Sequence, residues 1–139
     1  MSNVHGNIMV KNEELLLQEL LPVWEKYPLE KFVFYNDNSV DNTVEVIKDN
    51  LGDRAIILND NRNTFHESYN RSRMLEYSRD NGATHAIAFD CDELLSDNFV
   101  QNFNEAISLY ETQDIHLYWF NVVNNTVKKI RQDPSYINN

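Results

Sequence analysis

Two carboxylates one residue apart, Asp90 and Asp92, with Glu93 directly behind them, follow the apolar run Ala86-Ile87-Ala88-Phe89. Such a run reads as a short strand that can be buried on both faces. On an extended backbone, side chains at i and i+2 point the same way. Asp90 and Asp92 would then hold hard oxygen donors side by side, each raising the other's pKa unless a cation neutralises them. A divalent metal resolves that conflict. Ligation by oxygen alone favours Mg²⁺ or Mn²⁺ over Zn²⁺, and Mg²⁺-type sites take one or two carboxylates and complete their shell with waters and phosphates. The chemistry indicated is a metal at the rim of a sheet with a diphosphate on it. The plainer reading is a helix N-terminus, where acidic residues favour the dipole. Against it, the acids come straight from the strand with no loop between. Cys91, between the aspartates, is directed to the opposite face and reads as a small buried residue.

A second cluster, Asn36-Asp37-Asn38-Ser39-Val40-Asp41-Asn42-Thr43, has the alternating oxygens of a calcium loop but fails that test. Asn42 stands where the loop needs glycine, and Lys48 where it needs a bidentate glutamate. Ser39 or Asp41 is expected to cap the helix that follows. Asp37 sits at a strand's mouth, several residues earlier, where a ligand role and a turn role are equally open. His5, His66, His85 and His116 are scattered without metal-binding spacing, His85 reading as packed in a strand. No Ser-His-Asp order, glycine-rich phosphate loop or CxxC is present. Trp24 and Trp119 read as core or interface. Arg62, Arg71 and Arg73 read as surface charges, although one positive group near the acids would be useful.

The elements that must position these residues follow from periodicity. Strands are expected at Asn7–Val10, Phe32–Tyr35, Ala55–Leu58 and Ala86–Phe89, from their short apolar, β-branched and aromatic runs. Helices are expected between them: from Asn12, as cap, towards Pro28; over Val44–Leu51, with Gly52 as the stop; and from His66 to about Arg79, ended by Asn81-Gly82. After the acidic cluster a helix is expected from Asp97 to about Glu111, then a strand at Ile115–Phe120 and another at Thr126–Ile130 paired to it. Four alternations of strand and helix imply an α/β, Rossmann-like fold: a mostly parallel sheet with helices on both faces. Ligands in such sheets bind beyond the carboxyl ends of the strands. The clusters KNEE, NDNSVDNT, NDNRN and DCDE each follow a strand, so they should converge there.

Composition sets the frame. The 139 residues, 42% hydrophobic, suit one domain, 1–139. A net charge of −10 opposes binding to nucleic acid, and Lys128-Lys129-Ile130-Arg131 is too short a basic run to reverse that. One cysteine, no signal-peptide pattern and no membrane-length apolar run make a cytoplasmic protein with no transmembrane segment the default expectation.

Taken together, these motifs resemble the nucleotide-binding half of family-2-like glycosyltransferases with the GT-A fold. Met9-Val10-Lys11-Asn12-Glu13 is similar to that family's PTYNE, and Asn36 to Thr43 to its DDGSTDGT. Tyr69-Asn70-Arg71 stands for its ARN, and Gly82 to Glu93 for its GADWVLFLDADE. The order and spacing match over about residues 7 to 95. The resemblance implies that Val10, Lys11 and Asn12 line a nucleoside pocket and that Asp37 accepts a hydrogen bond from the base, usually uracil. It places Asp90 near the ribose or a metal-bound water, Asp92 on an Mn²⁺ or Mg²⁺ ion bridging the diphosphate, and Arg71 beside the nucleotide. The implied function is metal-dependent transfer of a sugar from a nucleotide-diphosphate sugar, UDP-sugar favoured, to an acceptor. The alternative is a noncatalytic module that binds the same nucleotide. A receiver-like phosphorylation domain ranks lower, because Lys11-Asn12-Glu13-Glu14 does not supply the acidic cluster it needs. Asn36 and Asn38 depart from the family's aspartate and glycine. With 44 residues after Leu95, the acceptor-binding half is expected to be largely absent, the fold being truncated after the D-x-D region. Exposed late strands could support a homo-oligomer.

Overall fold

In the computed structural model, the described residues are 2–60, 62, 66–109, 120–123 and 126–129. β1 (Val4–Val10) and β2 (Lys31–Asn36) form the centre of a parallel sheet ordered β3-β2-β1-β4, with β3 (Ala55–Asn59) and β4 (His85–Ala88) outside them. Successive strand residues face opposite sides, and the sequence exploits this. Phe32 and Phe34 join Val4, Ile8 and Val10 on one face, where α1 (Glu14–Trp24), α2 (Thr43–Leu51) and α5 (Phe103–Leu109) deliver Leu17, Leu21, Trp24, Ile47, Leu51, Phe103 and Ile107. Val33 and Tyr35 face the other way, onto Met74 of α3 (Glu67–Asp80). Both faces of the central strands are therefore covered, as the alternation of elements predicts.

The α3 face carries a polar seam. His5 and Asn7 are buried on β1, and Ser78 lies opposite them on α3. The Ser78 hydroxyl donates to Asn7 Oδ1 at 3.1 Å, so it accepts from His5 Nδ1 at 3.2 Å. That assigns the proton to Nδ1 and leaves Nε2 buried without a partner. Burial lowers the His5 pKa. On the opposite face, Gly6 is where the sheet comes closest to its cover. A Cβ there would lie 2.9 Å from Leu29 Cδ1 and 3.1 Å from Phe89 Cε1. Glycine thus lets the Phe89 ring, immediately before Asp90, seat on β1.

Four expectations change. β4 is not buried on both faces: it pairs with β1 alone among the described residues, Ala86 and Ala88 are exposed, and Phe89 is buried only beyond the strand's end. Asn12 does not cap α1. It adopts a positive φ of 52° and turns its side chain to the next loop, and α1 begins at Glu14. That helix ends at Trp24, ahead of Pro28, and holds Pro22 in its last turn, where proline has no N–H to give to the i−4 carbonyl. The helix expected from Asp97 is two: α4 (Asp97–Gln101), capped by Ser96 Oγ accepting from Phe99 N, and α5, separated at Asn102. α2 and α3 stop as expected, beside Gly52 and Gly82, both at positive φ. β6 (Thr126–Lys129) pairs antiparallel with β5 (Phe120–Val123). Ile115 to Trp119, Ile130 and Glu111 lie outside the described residues. No helix among the described residues is long and apolar enough to cross a membrane.

Candidate functional site

The loops after β1 and β2 are laced together by side chains. Asn12 N donates to Ser39 Oγ at 3.0 Å, and Val40 N donates to Asn12 Oδ1 at 2.7 Å. One step on, Glu13 N donates to Thr43 Oγ1 at 2.9 Å and Glu14 N to Asp41 Oδ2 at 3.3 Å. Asp41 Oδ1 accepts from Thr43 N at 3.0 Å. Asp41 therefore satisfies orphan N–H groups at the start of both helices. The Thr43 hydroxyl, with those backbone donors, holds its carboxyl below the usual range. The expectation that Asp41 caps its own helix holds only in that it accepts from Thr43 N; the N-cap position is Asn42, which makes no side-chain cap bond. The second helix it serves lies 27 residues away in sequence.

The departures from the family motif in this loop have local reasons. Asn38 occupies φ 55°, a left-handed position usually given to glycine, and asparagine tolerates it. Its Nδ2 reaches Arg62 O at 3.1 Å. Asn36 donates from Nδ2 to Asn59 Oδ1 at 3.0 Å while its Oδ1 accepts from Ser39 N at 3.1 Å. A carboxylate could only accept, so asparagine suits this cross-strand bridge better than aspartate.

This lacing sets the first cleft. Met9, Val10, Lys11, Glu13 and Asp37 line a cavity of about 370 Å³. Asp37 is nearly buried, its N–H donating to Val10 O at 2.9 Å, and its Oδ2 lies 3.7 Å from Lys11 Nζ. Val10 closes the floor, with its side chain in the core. Asn12 lines neither this cleft nor the next. It braces the loops instead.

A second cleft of about 370 Å³ is lined by Met9, Glu13, Leu16, Asp90, Cys91 and Asp92. The acidic segment is not extended there. Glu93 N donates to Asp90 O at 3.0 Å, and Glu93 Oε1 accepts from Asp90 N at 2.6 Å, closing a turn with Cys91 and Asp92 at its corners. The expectation that i, i+2 alternation aligns the aspartates is thus replaced by a turn that brings both to one cleft. Glu93 leaves the group of repelling charges to become the clasp of that turn. Trp24 Nε1 donates to Glu93 O at 3.3 Å, and Tyr27 Oη accepts from Leu95 N at 2.9 Å, so the core helix and its exit loop anchor the segment.

Cys91 is buried, as expected, and its Sγ donates to Met9 O at 3.2 Å. Burial, reinforced by the carboxylates of Glu13, Asp90 and Asp92, pushes this thiol up to about 12, so it is protonated and a poor nucleophile at neutral pH. Arg71 answers part of the local charge. Its guanidinium reaches Asp90 Oδ1 at 3.2 Å and Glu67 Oε1 at 3.1 Å. Its neighbours do other work: Asn70 is fully buried, and Tyr69 stacks under the Arg62 guanidinium at 3.6 Å. Asp92 is exposed and makes no hydrogen bond or ion pair among the described residues.

The donors available for a cation are two carboxylates on an open turn, with no third His, Cys, Asp or Glu grouped to hold a metal among the described residues. Such a set fits a hard ion that takes its remaining ligands from water and phosphate, and it does not fit a self-sufficient protein cage. Sequence reasoning overlooked Met9 and Glu13, the residues common to both clefts. Glu13 stood in the motif but read as an acid in a helix's first turn. Its position beside a strand's mouth was the available signal.

The fold is shared with a solved structure, the crystal structure of S. aureus TarS 1–349. That match has a TM-score of 0.63 at 16% identity, over 78% of this chain and 33% of that one. The chain thus spans about a third of the solved protein it matches. No curated protein matches it. The α/β sheet is GT-A-like, and residues 8–136 match the description Glycosyl transferase family 2. With that match over nearly its whole length, the chain belongs to glycosyl transferase family 2.

Proposed function

We propose that this domain binds a nucleotide-diphosphate sugar, with Mn²⁺ or Mg²⁺, and transfers the sugar to an acceptor. The observation that carries this reading is the junction of two clefts at Met9 and Glu13, one holding Lys11 and Asp37, the other Asp90 and Asp92. A nucleotide has the same division, a neutral base at one end and an anionic diphosphate at the other. The first cleft offers the base a fixed carboxylate and an apolar floor. The second offers carboxylates that would repel a bare diphosphate and accept one accompanied by a cation.

Asp92 would hold that ion, with Asp90 second to it because Arg71 already engages one of its oxygens. The bound ion would serve as a Lewis acid that stabilises the departing diphosphate. Arg71 keeps Asp90 oriented and adds positive charge beside the diphosphate. The buried thiol of Cys91 and the side chain of Leu16 keep water from one wall of the cleft. In the transfer, the acceptor oxygen bonds to the sugar's anomeric carbon as the bond to the diphosphate oxygen breaks. The electron pair leaves with the nucleoside diphosphate, and the acceptor proton passes to a base.

Calorimetric titration of nucleoside diphosphates, with and without Mn²⁺, tests the reading. Binding that requires the metal supports it, and absence of binding to any nucleotide refutes it. Release of nucleoside diphosphate from UDP-sugars then separates a transferase from a module that binds without turnover.

A further inference from the structure

We propose that Arg62, Arg73, Tyr35 and Asp60 form an anion site, separate from both clefts, that takes a phosphate group still carrying a proton. None of the four lines either cleft. They gather on the α3 face of the sheet, where β2 and β3 end, and the site would exist whether or not a nucleotide binds.

Asp60 follows β3 directly, and its N–H donates to Asn36 O at 3.0 Å, which joins the ends of β2 and β3. Its Oδ1 accepts from Arg62 N at 2.9 Å, and the Arg62 guanidinium stacks on Tyr69 at 3.6 Å. Tyr69 and Arg73 are one helical turn apart on α3, so Arg73 projects from the same side of that helix. Tyr35, buried against Met74, places its hydroxyl within reach of the charges of Asp60 and Arg73. Burial first, and then the Asp60 carboxylate, raises the Tyr35 pKa, yet the two groups are not aligned into a hydrogen bond.

What these groups lack is partners. Tyr35 Oη, Asp60 Oδ2, and Arg62 Nε and Nη2 are all buried without a hydrogen bond. Neither arginine makes an ion pair among the described residues. Buried polar groups are nearly always bonded, and buried charges paired. Nε and Nη2 form one edge of the guanidinium, the fork that meets two oxygens of an oxyanion. The stack on Tyr69 holds the plane of that fork. Two arginines against a single aspartate leave positive charge to be met.

Asp60 decides which anion fits. Sulfate and an ionised carboxylate only accept hydrogen bonds, so either would set a lone pair against Asp60 Oδ2. Hydrogenphosphate, or a singly protonated phosphomonoester, accepts from the Arg62 fork and from Tyr35 while its P–OH donates to Oδ2. Every unpaired atom of the three side chains then has a partner.

Calorimetric titration of the nucleotide-free protein with sodium phosphate, and with sodium sulfate at equal ionic strength, tests the site. Phosphate is expected to bind with a dissociation constant of about 1 mM or tighter, and sulfate at least about tenfold more weakly. Arg62→Met should weaken phosphate by at least about tenfold through loss of the fork. Asp60→Asn keeps an oxygen for Arg62 N and puts an amide donor in place of Oδ2, so it should bind sulfate at least as tightly as phosphate. Loss of folding cannot produce that reversal, and urea midpoints check that both variants fold. Saturating UDP with Mg²⁺ should leave the phosphate affinity of the wild type within about twofold. Competition by glucose 1-phosphate would assign the site to an esterified phosphate as well as the free ion, and its absence to the free ion alone. Phosphate that does not bind, sulfate bound as tightly by the wild type, or a preference unchanged in Asp60→Asn would each overturn the inference. So would displacement of phosphate by UDP, which would make these residues part of the nucleotide's own site.

Discussion

Replacing Asp92 with alanine is expected to abolish metal-dependent binding of nucleoside diphosphate. The loss should exceed the about 10–100-fold typical of groups that merely support a metal ligand. Asp92 is exposed on the turn and makes no hydrogen bond or ion pair among the described residues, so its removal should leave the fold's stability within about 0.5 kcal/mol of wild type. Calorimetry with and without Mn²⁺, beside a urea denaturation without ligand, separates the two effects. Asp90→Ala should lose less affinity, because it also frees Arg71 to meet the diphosphate directly. Equal affinity for the wild type and Asp92→Ala in Mn²⁺ would contradict the assignment.

The second large effect is on stability. Trp24→Ala is expected to cost about 3–5 kcal/mol, against a total of about 5–15 kcal/mol for a domain of this kind. The indole is fully buried, stacked on Phe34 at 6.5 Å and edge-on to Phe89 at 5.1 Å between ring centroids. Its N–H also donates to Glu93 O, tying the core of α1 to the acidic turn. Trp24→Phe keeps much of the packing and loses that bond, worth about 0.5–1.5 kcal/mol. Urea midpoints should therefore fall in the order wild type, Trp24→Phe, Trp24→Ala. A phenylalanine variant as unstable as the alanine one would show that packing at this site does not govern the loss.

Much of this fold was legible in the sequence because its signals are local. Phe32 to Tyr35 and Ala55 to Leu58 are short runs of the residue types strands prefer, and Gly52 and Gly82 mark helix ends where positive φ is needed. The sheet edge was not legible. Ala86-Ile87-Ala88 reads the same in a central strand as in an edge strand, and only the pairing shows that β4 has one neighbour among the described residues. Nor does an acidic triplet announce a turn. That geometry depends on Glu93 reaching back to Asp90 N and on Trp24, 69 residues away, holding its carbonyl.

The candidate site divides along the same line. Asp37, Asp90 and Asp92 were found as residue types at the ends of strands, and Arg71 through its motif. What pairs Arg71 with Asp90, and Lys11 with Asp37, is tertiary contact that no periodicity encodes. Asn12 shows the cost of reading locally. As the polar residue before a helical pattern it should cap α1, yet its carbonyl oxygen is spent on Val40 N, 28 positions ahead. The helix takes its cap from Thr43 and Asp41 instead. The two loops became a single rigid rim by exchanging caps, and the first cleft lies within it.

The most direct test is a crystal soaked in manganese and UDP. The anomalous signal of manganese is expected in the cleft between Met9 and Asp92, bound to the Asp92 carboxylate and bridging to the diphosphate, with the uracil beside Lys11 and Asp37. Manganese absent from that cleft, with Asp90 and Asp92 turned to bulk water while UDP is bound elsewhere, would contradict the account.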